Sequence, residues 1–372
     1  MVSEVTYMRM GDIIAPVRIR CGESNPEVVG VDINHRFIPT RANLTGVDTS
    51  KYLVVPVGCF ACNLMHIGRD ERIPLAYNDL GRPLVITHAY YVFRIKAEKL
   101  DSLLPQFLYL YLSRQETDRF TWFCTDSSIR GNLPESRLLD IEIPVPDIEI
   151  QRQLVDVWEG LNGLKVDNDA QAEPLMGLCM SYLKKLREEN RHVAIGQFIR
   201  DFDERNLQGE DLPVLGLNKE KVFIPTAANL EGVDLKKYKM VQKGNFVFSG
   251  MQTGRDVCIR LSLYSEETPA LVSPAYTTFI IDSEKIIPEY FYLLFLRKEM
   301  DRYGAFISDS SVRANLDWPR FKDITIPVPP KSIQQAIVDI YKCAKESKAI
   351  SCEAEKLRKA VAPALIQKAI HY

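Results

Sequence analysis

The stretch DIEIPVPDIEIQRQLV, residues 140–155, recurs as DITIPVPPKSIQQAIV, residues 323–338, so that Asp140 falls on Asp323, Pro144 on Pro327, Pro146 on Pro329 and Gln151 on Gln334. In each copy the alternating isoleucines (Ile141, Ile143; Ile324, Ile326) read as a short strand. The Pro-x-Pro that follows ends the strand, because proline has no N–H to give to a ladder, and helical apolar spacing begins after it. A compact unit closes there and a helix leaves it.

That helix carries a heptad stripe. Apolar residues fall at Ile150, Leu154, Val157, Leu161 and Leu164 in the first copy, and at Ile333, Ile337, Ile340, Leu357, Val361 and Leu365 in the second. The 4-3 spacing predicts the a/d face of a coiled coil, with each helix burying its stripe on the other rather than only on its own domain. The second helix would run for about 40 residues, some 60 Å. VDNDAQAEP (Val166–Pro174) predicts an interruption of the first helix, and Pro363 predicts a kink or an end near the close of the second.

Outward from this junction the duplication covers nearly the whole chain. FIPTRANLTGVDTSKY (Phe37–Tyr52) matches FIPTAANLEGVDLKKY (Phe223–Tyr238), and GCFACNLMHIGRD (Gly58–Asp70) matches GNFVFSGMQTGRD (Gly244–Asp256). Strand-like THAYYVF (Thr87–Phe93) matches SPAYTTF (Ser273–Phe279), helix-like LPQFLYLYLSR (Leu104–Arg114) matches IPEYFYLLFLR (Ile287–Arg297), and the polar loop SSIRGNL (Ser127–Leu133) matches SSVRANL (Ser310–Leu316). The expected fold is therefore α+β: a tandem, pseudo-two-fold repeat of two mixed α/β domains, residues 1–146 and 191–329, separated by an antiparallel pair of long helices, residues 147–190 and 330–372. Two equivalent heads on a rod suit a ligand that repeats along an axis, such as duplex DNA with two half-sites.

Composition narrows the class. At 372 residues, 46% hydrophobic and 26% charged, the chain reads as two or three globular domains. It has no signal pattern and no apolar run of about 18 residues, so the expectation is a cytoplasmic protein without a membrane segment. Eight cysteines follow no disulfide framework and fit a reducing compartment. A net charge of -2 is not that of a stand-alone nucleic-acid binder, so any phosphate contacts must come from local basic loops or from a partner.

The duplicated unit resembles the specificity subunits of type I restriction-modification systems. The resemblance rests on GNFVFS (Gly244–Ser249), SPAY (Ser273–Tyr276), SSVRANL and PVPPKSIQQAIV, with weaker counterparts in the first repeat. It implies a non-catalytic reader in which each domain is a target recognition domain for one half of a bipartite, asymmetric DNA target. The paired helices would fix the unread spacer and dock two adenine methyltransferase subunits, which restriction subunits would join. S-adenosylmethionine is then expected on the partner, and no cofactor in this chain.

Candidate DNA contacts follow. Arg69 and Arg255 stand in Gly-Arg-Asp loops after a strand, where a guanidinium reaches a guanine edge or a phosphate, with Arg72 and Arg260 close behind. His66 and Gln252 occupy the same place and differ, which can make the half-sites differ. Ser127, Ser128, Arg130 and Asn132, with Ser310, Ser311, Arg313 and Asn315, offer hydroxyl, guanidinium and amide donors. The competing reading is structural: Arg–Asp surface pairs, and turns in which Ser and Asn bind their own backbone.

Cys59, Cys62 and His66 have a zinc-like spacing, but the second repeat has Asn245, Phe248 and Gln252 there, so no metal is expected. Phosphate-loop, nucleophile-elbow and amino-methyltransferase signatures are missing from the sequence, and Asp282, Glu284 and Lys285 read as solvated loop charges rather than a nuclease centre. The alternatives are a protein-interaction scaffold and a free-standing endonuclease.

Overall fold

The computed structural model describes residues 5–22, 27–40, 42–65, 67, 71–126, 128, 131–309, 311 and 313–371. They form two compact units, one of residues 1–166 with 350–372 and one of residues 167–349.

In the first unit a four-stranded antiparallel sheet runs in the order Ile14–Pro16, Tyr91–Ile95, Phe60–Cys62, Leu75–Tyr77. Side chains alternate across it, as the two-residue period of a strand requires. Phe60 and Phe93 point to one face, where their fully buried rings stack at 4.9 Å beside Phe107 and Leu108 of the helix Pro105–Leu112. Ala61 and Val92 point to the other face and pack with Val55, Leu84 and Ile86 of a small ribbon, Leu53–Val55 with Leu84–Ile86.

The second unit repeats this design. Its sheet runs Ile199–Phe202, Thr277–Ile281, Phe246–Ser249, Arg260–Leu263, and Phe246 stacks on Phe279 at 5.0 Å. Behind it lies a second sheet, Phe223–Pro225, Val214–Leu217, Ala270–Val272, Lys239–Val241, in which the middle two strands run parallel. In the first unit the same parallel contact is a single bridge between Val28 and Val85.

Each unit is closed by a two-stranded ribbon, Thr6–Arg9 with Glu142–Val145 and His192–Ala194 with Thr325–Pro327. The first proline of each Pro-x-Pro still belongs to the ribbon, Pro144 opposite Tyr7 and Pro327 opposite His192. A ribbon edge tolerates the missing donor where a central strand would not.

Two long helices follow, Ile148–Glu189 and Lys331–His371. The expected interruption before Pro174 is corrected: the proline lies inside an unbroken helix, and Pro363 likewise lies inside the second. A proline removes one backbone donor and crowds one carbonyl, whereas every other turn of a helix this long keeps its bonds and its packing. In the second unit Cys179 Sγ lies 3.9 Å from the Ile337 carbonyl and Lys348 Nζ lies 2.9 Å from Asp169, so residue numbers rise on one segment as they fall on the other. The two segments are antiparallel there. In the first unit Arg358 covers the Trp158 ring at 5.7 Å, and Ile366 packs in the same cluster as Leu154 and Val155.

The heptad stripe is only partly the buried face. Leu154 and Ile337 are buried, and Ile150, Leu161, Ile333, Ile340, Val361 and Leu365 are half-buried. Val157, Leu164 and Leu357, expected in the seam, are 45%, 51% and 41% exposed. Gln151, Val155, Gln334 and Val338 are buried instead, because the first turns of each helix pack on the domain they leave and the apolar face is rotated towards it. Among the described residues, no helix is long and apolar enough to cross a membrane.

Candidate nucleic-acid interface

In the second unit the strand Phe246–Ser249 runs into Gly250 and the short helix Thr253–Asp256, and this segment is joined to the polar loop at residues 309–316. Leu316 N–H donates to Gly250 O at 2.8 Å, Gln252 N–H to Asn315 Oδ1 at 3.0 Å, and Gly254 N–H to Ala314 O at 2.8 Å. The approach is too close for side chains at the glycines. A Cβ at Gly250 would stand 1.7 Å from the Leu316 carbonyl oxygen, and one at Gly254 would stand 2.7 Å from Ala314 Cβ. The Gly-Arg-Asp segment and the Ser-Ser-x-Arg-x-Asn loop, separate in sequence, are thus one construction.

Asp309 organises the other side of the join. Its Oδ1 accepts from Ser311 N at 3.1 Å, Ser311 Oγ at 2.6 Å and Asn315 N at 2.9 Å. The Ser311 hydroxyl first, and the Asn315 amide after it, hold the Asp309 carboxyl below the usual carboxylate range. Ala314 takes a left-handed φ of +47° to complete the turn. Ser311 and Asn315 are therefore spent on the loop itself, and Arg313 is its exposed cation.

The first unit builds the same turn. Asp126 Oδ1 accepts from Ser128 N at 3.1 Å and Asn132 N at 3.0 Å, and Leu133 N–H donates to Leu64 O at 2.8 Å. Gly131 takes the left-handed position that Ala314 fills in the second unit. His66, Arg69, Ser127, Arg130 and Ser310 lie outside the described residues. Arg72 is exposed, with Nη1 3.3 Å from the Ile33 carbonyl.

The guanidinium of Arg255 is held by Asp256 through Nε at 3.0 Å and by Gln252 Oε1 through Nη2 at 2.6 Å. Asp256 also pairs with Lys219 at 3.6 Å and with Arg260, whose Nη1 reaches the Met251 carbonyl at 3.1 Å. The hydrogen bond from Arg255, opposed in part by burial and aided by the charges of Lys219 and Arg260, holds the Asp256 carboxyl below its ordinary range. Three cations converge on one carboxylate, so the cluster keeps a positive surplus. Beside it lies a concavity of about 440 Å³ lined by Lys219, Ser249, Met251, Arg260 and Tyr276 among others. Ser249 Oγ is buried there without a partner among the described residues.

Sequence reasoning missed two features that both units share. Phe123 and Phe306 end corresponding helices, Gln115–Phe123 and Lys298–Phe306, and are 84% and 85% exposed just before the Asp126 and Asp309 turns. The repeat alignment contained that signal, since DRFTWF and DRYGAF keep the aromatic spacing. Arg137 donates to the Cys124 and Thr125 carbonyls at 2.8 Å, and Arg320 to the Ile307 carbonyl at 3.3 Å, covering the electronegative ends of these helices.

The other feature is a largely buried carboxylate faced by a side-chain nitrogen behind the interface. Lys221, at φ +62°, sets Nζ 2.7 Å from Asp301 Oδ1, which also accepts Ile259 N–H at 2.9 Å. In the first unit His35, at φ +61°, sets Nε2 3.7 Å from Asp118 Oδ2, and Asp118 Oδ1 accepts Ile73 N–H at 3.2 Å.

Cys59 and Cys62 are buried thiols whose pKa burial raises. Asp282 pairs with Arg200 at 2.8 Å, so its charge is used on the scaffold, and the Lys285 backbone carbonyl accepts from Gln334.

Comparison with known proteins agrees with this geometry. Residues 204–350 match the family described as the type I restriction modification DNA specificity domain. No match to the sequence of a curated protein was found. Among solved structures, a type I restriction-modification S subunit from M. genitalium is similar over 100% of this chain and 97% of its own, with a TM-score of 0.63 at 13% identity. An HsdS subunit from Thermoanaerobacter tengcongensis covers 98% of this chain and 96% of its own at 16% identity and a TM-score of 0.41. Residues 204–350 thus belong to the type I restriction modification DNA specificity domain family, and the chain as a whole shares the fold of a solved S subunit.

Proposed function

We propose that the chain reads a bipartite, asymmetric DNA target, with loops of residues 1–146 on one half-site and loops of residues 191–329 on the other. The observation that carries this reading is the repeated loop join, Leu133 to Leu64 and Leu316 to Gly250, each beside an aspartate-organised turn and an exposed phenylalanine. A preformed polar loop with cations fixed at its rim is suited to phosphate and base-edge contacts, because its ordering cost is met before DNA arrives. Arg255, Arg313 and Arg260 are the groups of the second unit assigned to DNA, and Arg72 that of the first. Gln252 and His66, at one position of the repeat, distinguish the half-sites.

The helical segments 147–190 and 330–372 set the unread spacer and dock two adenine methyltransferase subunits, which restriction subunits join. Methyl transfer belongs to those partners, with S-adenosylmethionine bound on them. The test is single-molecule sequencing of genomic DNA from a host expressing this chain with its neighbouring methyltransferase, against the same host without this chain. A two-part motif with methylated adenine in both halves, present only with this chain, is the expected result. Absence of chain-dependent methylation, with the methyltransferase active on another specificity subunit, overturns the reading in favour of a protein-interaction scaffold.

A further inference from the structure

The first unit contains a cavity of about 670 Å³ between the hairpin turn Ile33–Arg36, the helices Pro105–Leu112 and Gln115–Phe123, and the helical segments bearing Trp158 and Glu355–Ile366. That volume is typical of a small-ligand site. Five basic side chains line it, Arg36, Arg72, Arg114, Arg358 and Lys359, against the carboxylates Glu116, Asp118 and Glu355. Glu355 is surrounded by Arg36 at 3.7 Å, Arg358 at 3.0 Å and Lys359 at 3.2 Å, and Asp118 is engaged by Ile73 N–H and His35.

Arg114 is the unusual member. It is only 8% exposed, its guanidinium lies 4.2 Å from the Tyr111 ring centroid and bonds the Tyr111 carbonyl through Nε at 3.3 Å, and it has no carboxylate partner among the described residues. A buried guanidinium without a counter-ion is costly, and an anion entering the cavity would supply one. His35 Nδ1, also lining this space, is buried and unpartnered among the described residues.

The second unit has dismantled the arrangement. There the counterpart of Arg114, Arg297, has Glu299 at 3.7 Å, and Val222, Cys258 and Lys221 stand in place of Arg36, Arg72 and His35. A device present in one repeat only does not serve half-site reading in general.

We propose that this cavity binds a phosphate group, its charge met by Arg114, Arg72 and Arg36. The phosphate comes either from a free phosphorylated ligand or from the DNA backbone. The proposal stands on the cavity alone, so failure of the methylation experiment leaves it intact. Calorimetric titration of pyrophosphate into the full chain should show one site per chain, weakened at least tenfold by Arg72→Gln and by Arg114→Gln and unchanged by Arg297→Gln. Because Arg114 is buried, thermal melting accompanies its variant, and the exposed Arg36→Gln and Arg72→Gln changes carry the test if it unfolds.

Titration of duplex DNA separates the two sources. Weakening by Arg36→Gln and Arg114→Gln with competition by pyrophosphate assigns the phosphate to DNA, and unchanged DNA affinity in those two variants with lost pyrophosphate binding assigns it to a free ligand. Arg72→Gln, whose side chain is already assigned to DNA, is read with pyrophosphate alone. No saturable pyrophosphate binding together with unaltered DNA affinity in Arg36→Gln and Arg114→Gln overturns the proposal, as does equal weakening of pyrophosphate binding by Arg297→Gln.

Discussion

Gln334 Oε1 accepts the backbone N–H of Ile287 at 2.9 Å, and its Nε2 donates to the Lys285 carbonyl at 2.8 Å and the Pro329 carbonyl at 2.9 Å. Gln151 makes the same three bonds in the first unit, with Leu104, Ser102 and Pro146. Both amides are fully buried. A single side chain thus fastens the start of each long helix to the helix of the domain before it. Replacing Gln334 by leucine leaves one buried and two part-buried backbone groups without their partner and is expected to cost about 3 kcal/mol. Chemical denaturation of the full chain measures it, and a loss below about 1 kcal/mol would show that the fastening is incidental.

The Lys221–Asp301 pair yields a second expectation. Lys221→Met strands a carboxylate that is mostly shielded from water, and is expected to destabilise the second unit by roughly 3 kcal/mol. The double change Lys221→Met with Asp301→Leu should recover much of that loss, since the penalty lies in the uncompensated charge. If the double variant is less stable than the single one, the hydrogen bonds to Phe295 O and from Ile259 N–H matter more than the charge.

These two relationships show what the sequence displayed and what it hid. The duplication and the long helices were legible because Gln151 and Gln334 sit at matching places of a repeated stretch, and helical periodicity extends over many turns. The pairing of Lys221 with Asp301 was hidden: its members are 80 residues apart, and the first repeat writes the same place with His35 and Asp118. Pro174 misled because local propensity is a weak force against a continuous packed helix. Val157, Leu164 and Leu357 misled because heptad counting assumes one partner surface, whereas each helix start has its own domain to cover. At the candidate interface, the choice of the Ser-Ser-x-Arg-x-Asn loop followed from residue type, but only coordinates reveal that Ser311 and Asn315 are occupied by Asp309 and Gln252.

Asp309 gives a pH expectation. Its folded pKa lies below the unfolded value, so the carboxylate's contribution is fully present above the ordinary carboxylate range, near about pH 4, and is lost as pH falls through the depressed folded value. Loop order, followed by amide hydrogen exchange at Ser311 and Asn315, is therefore expected to be constant around neutrality and to fail only in acid. Asp309→Ala should bring the acid behaviour to neutral pH, with fast exchange at both amides in a folded chain. Protected amides in that variant would mean that the backbone turn holds without its carboxylate.

The cations at the rim separate two ways of meeting DNA. Arg255 is aimed by Gln252 and Asp256, so a change to Gln removes a positioned guanidinium as well as a charge. Arg313 is exposed on its turn, so its contribution is expected to be phosphate neutralisation. Arg313→Gln should weaken binding about equally for cognate and unrelated duplexes and make the logarithmic salt slope shallower by about 0.9. Arg255→Gln should weaken the cognate duplex more than the unrelated one, with a discrimination loss of roughly 1–3 kcal/mol if the guanidinium pairs with a guanine edge. Titrations at several salt concentrations on both duplexes decide it. Equal weakening of the two duplexes by Arg255→Gln would reassign that residue to the backbone, leaving Gln252 as the group of this loop that reads a base.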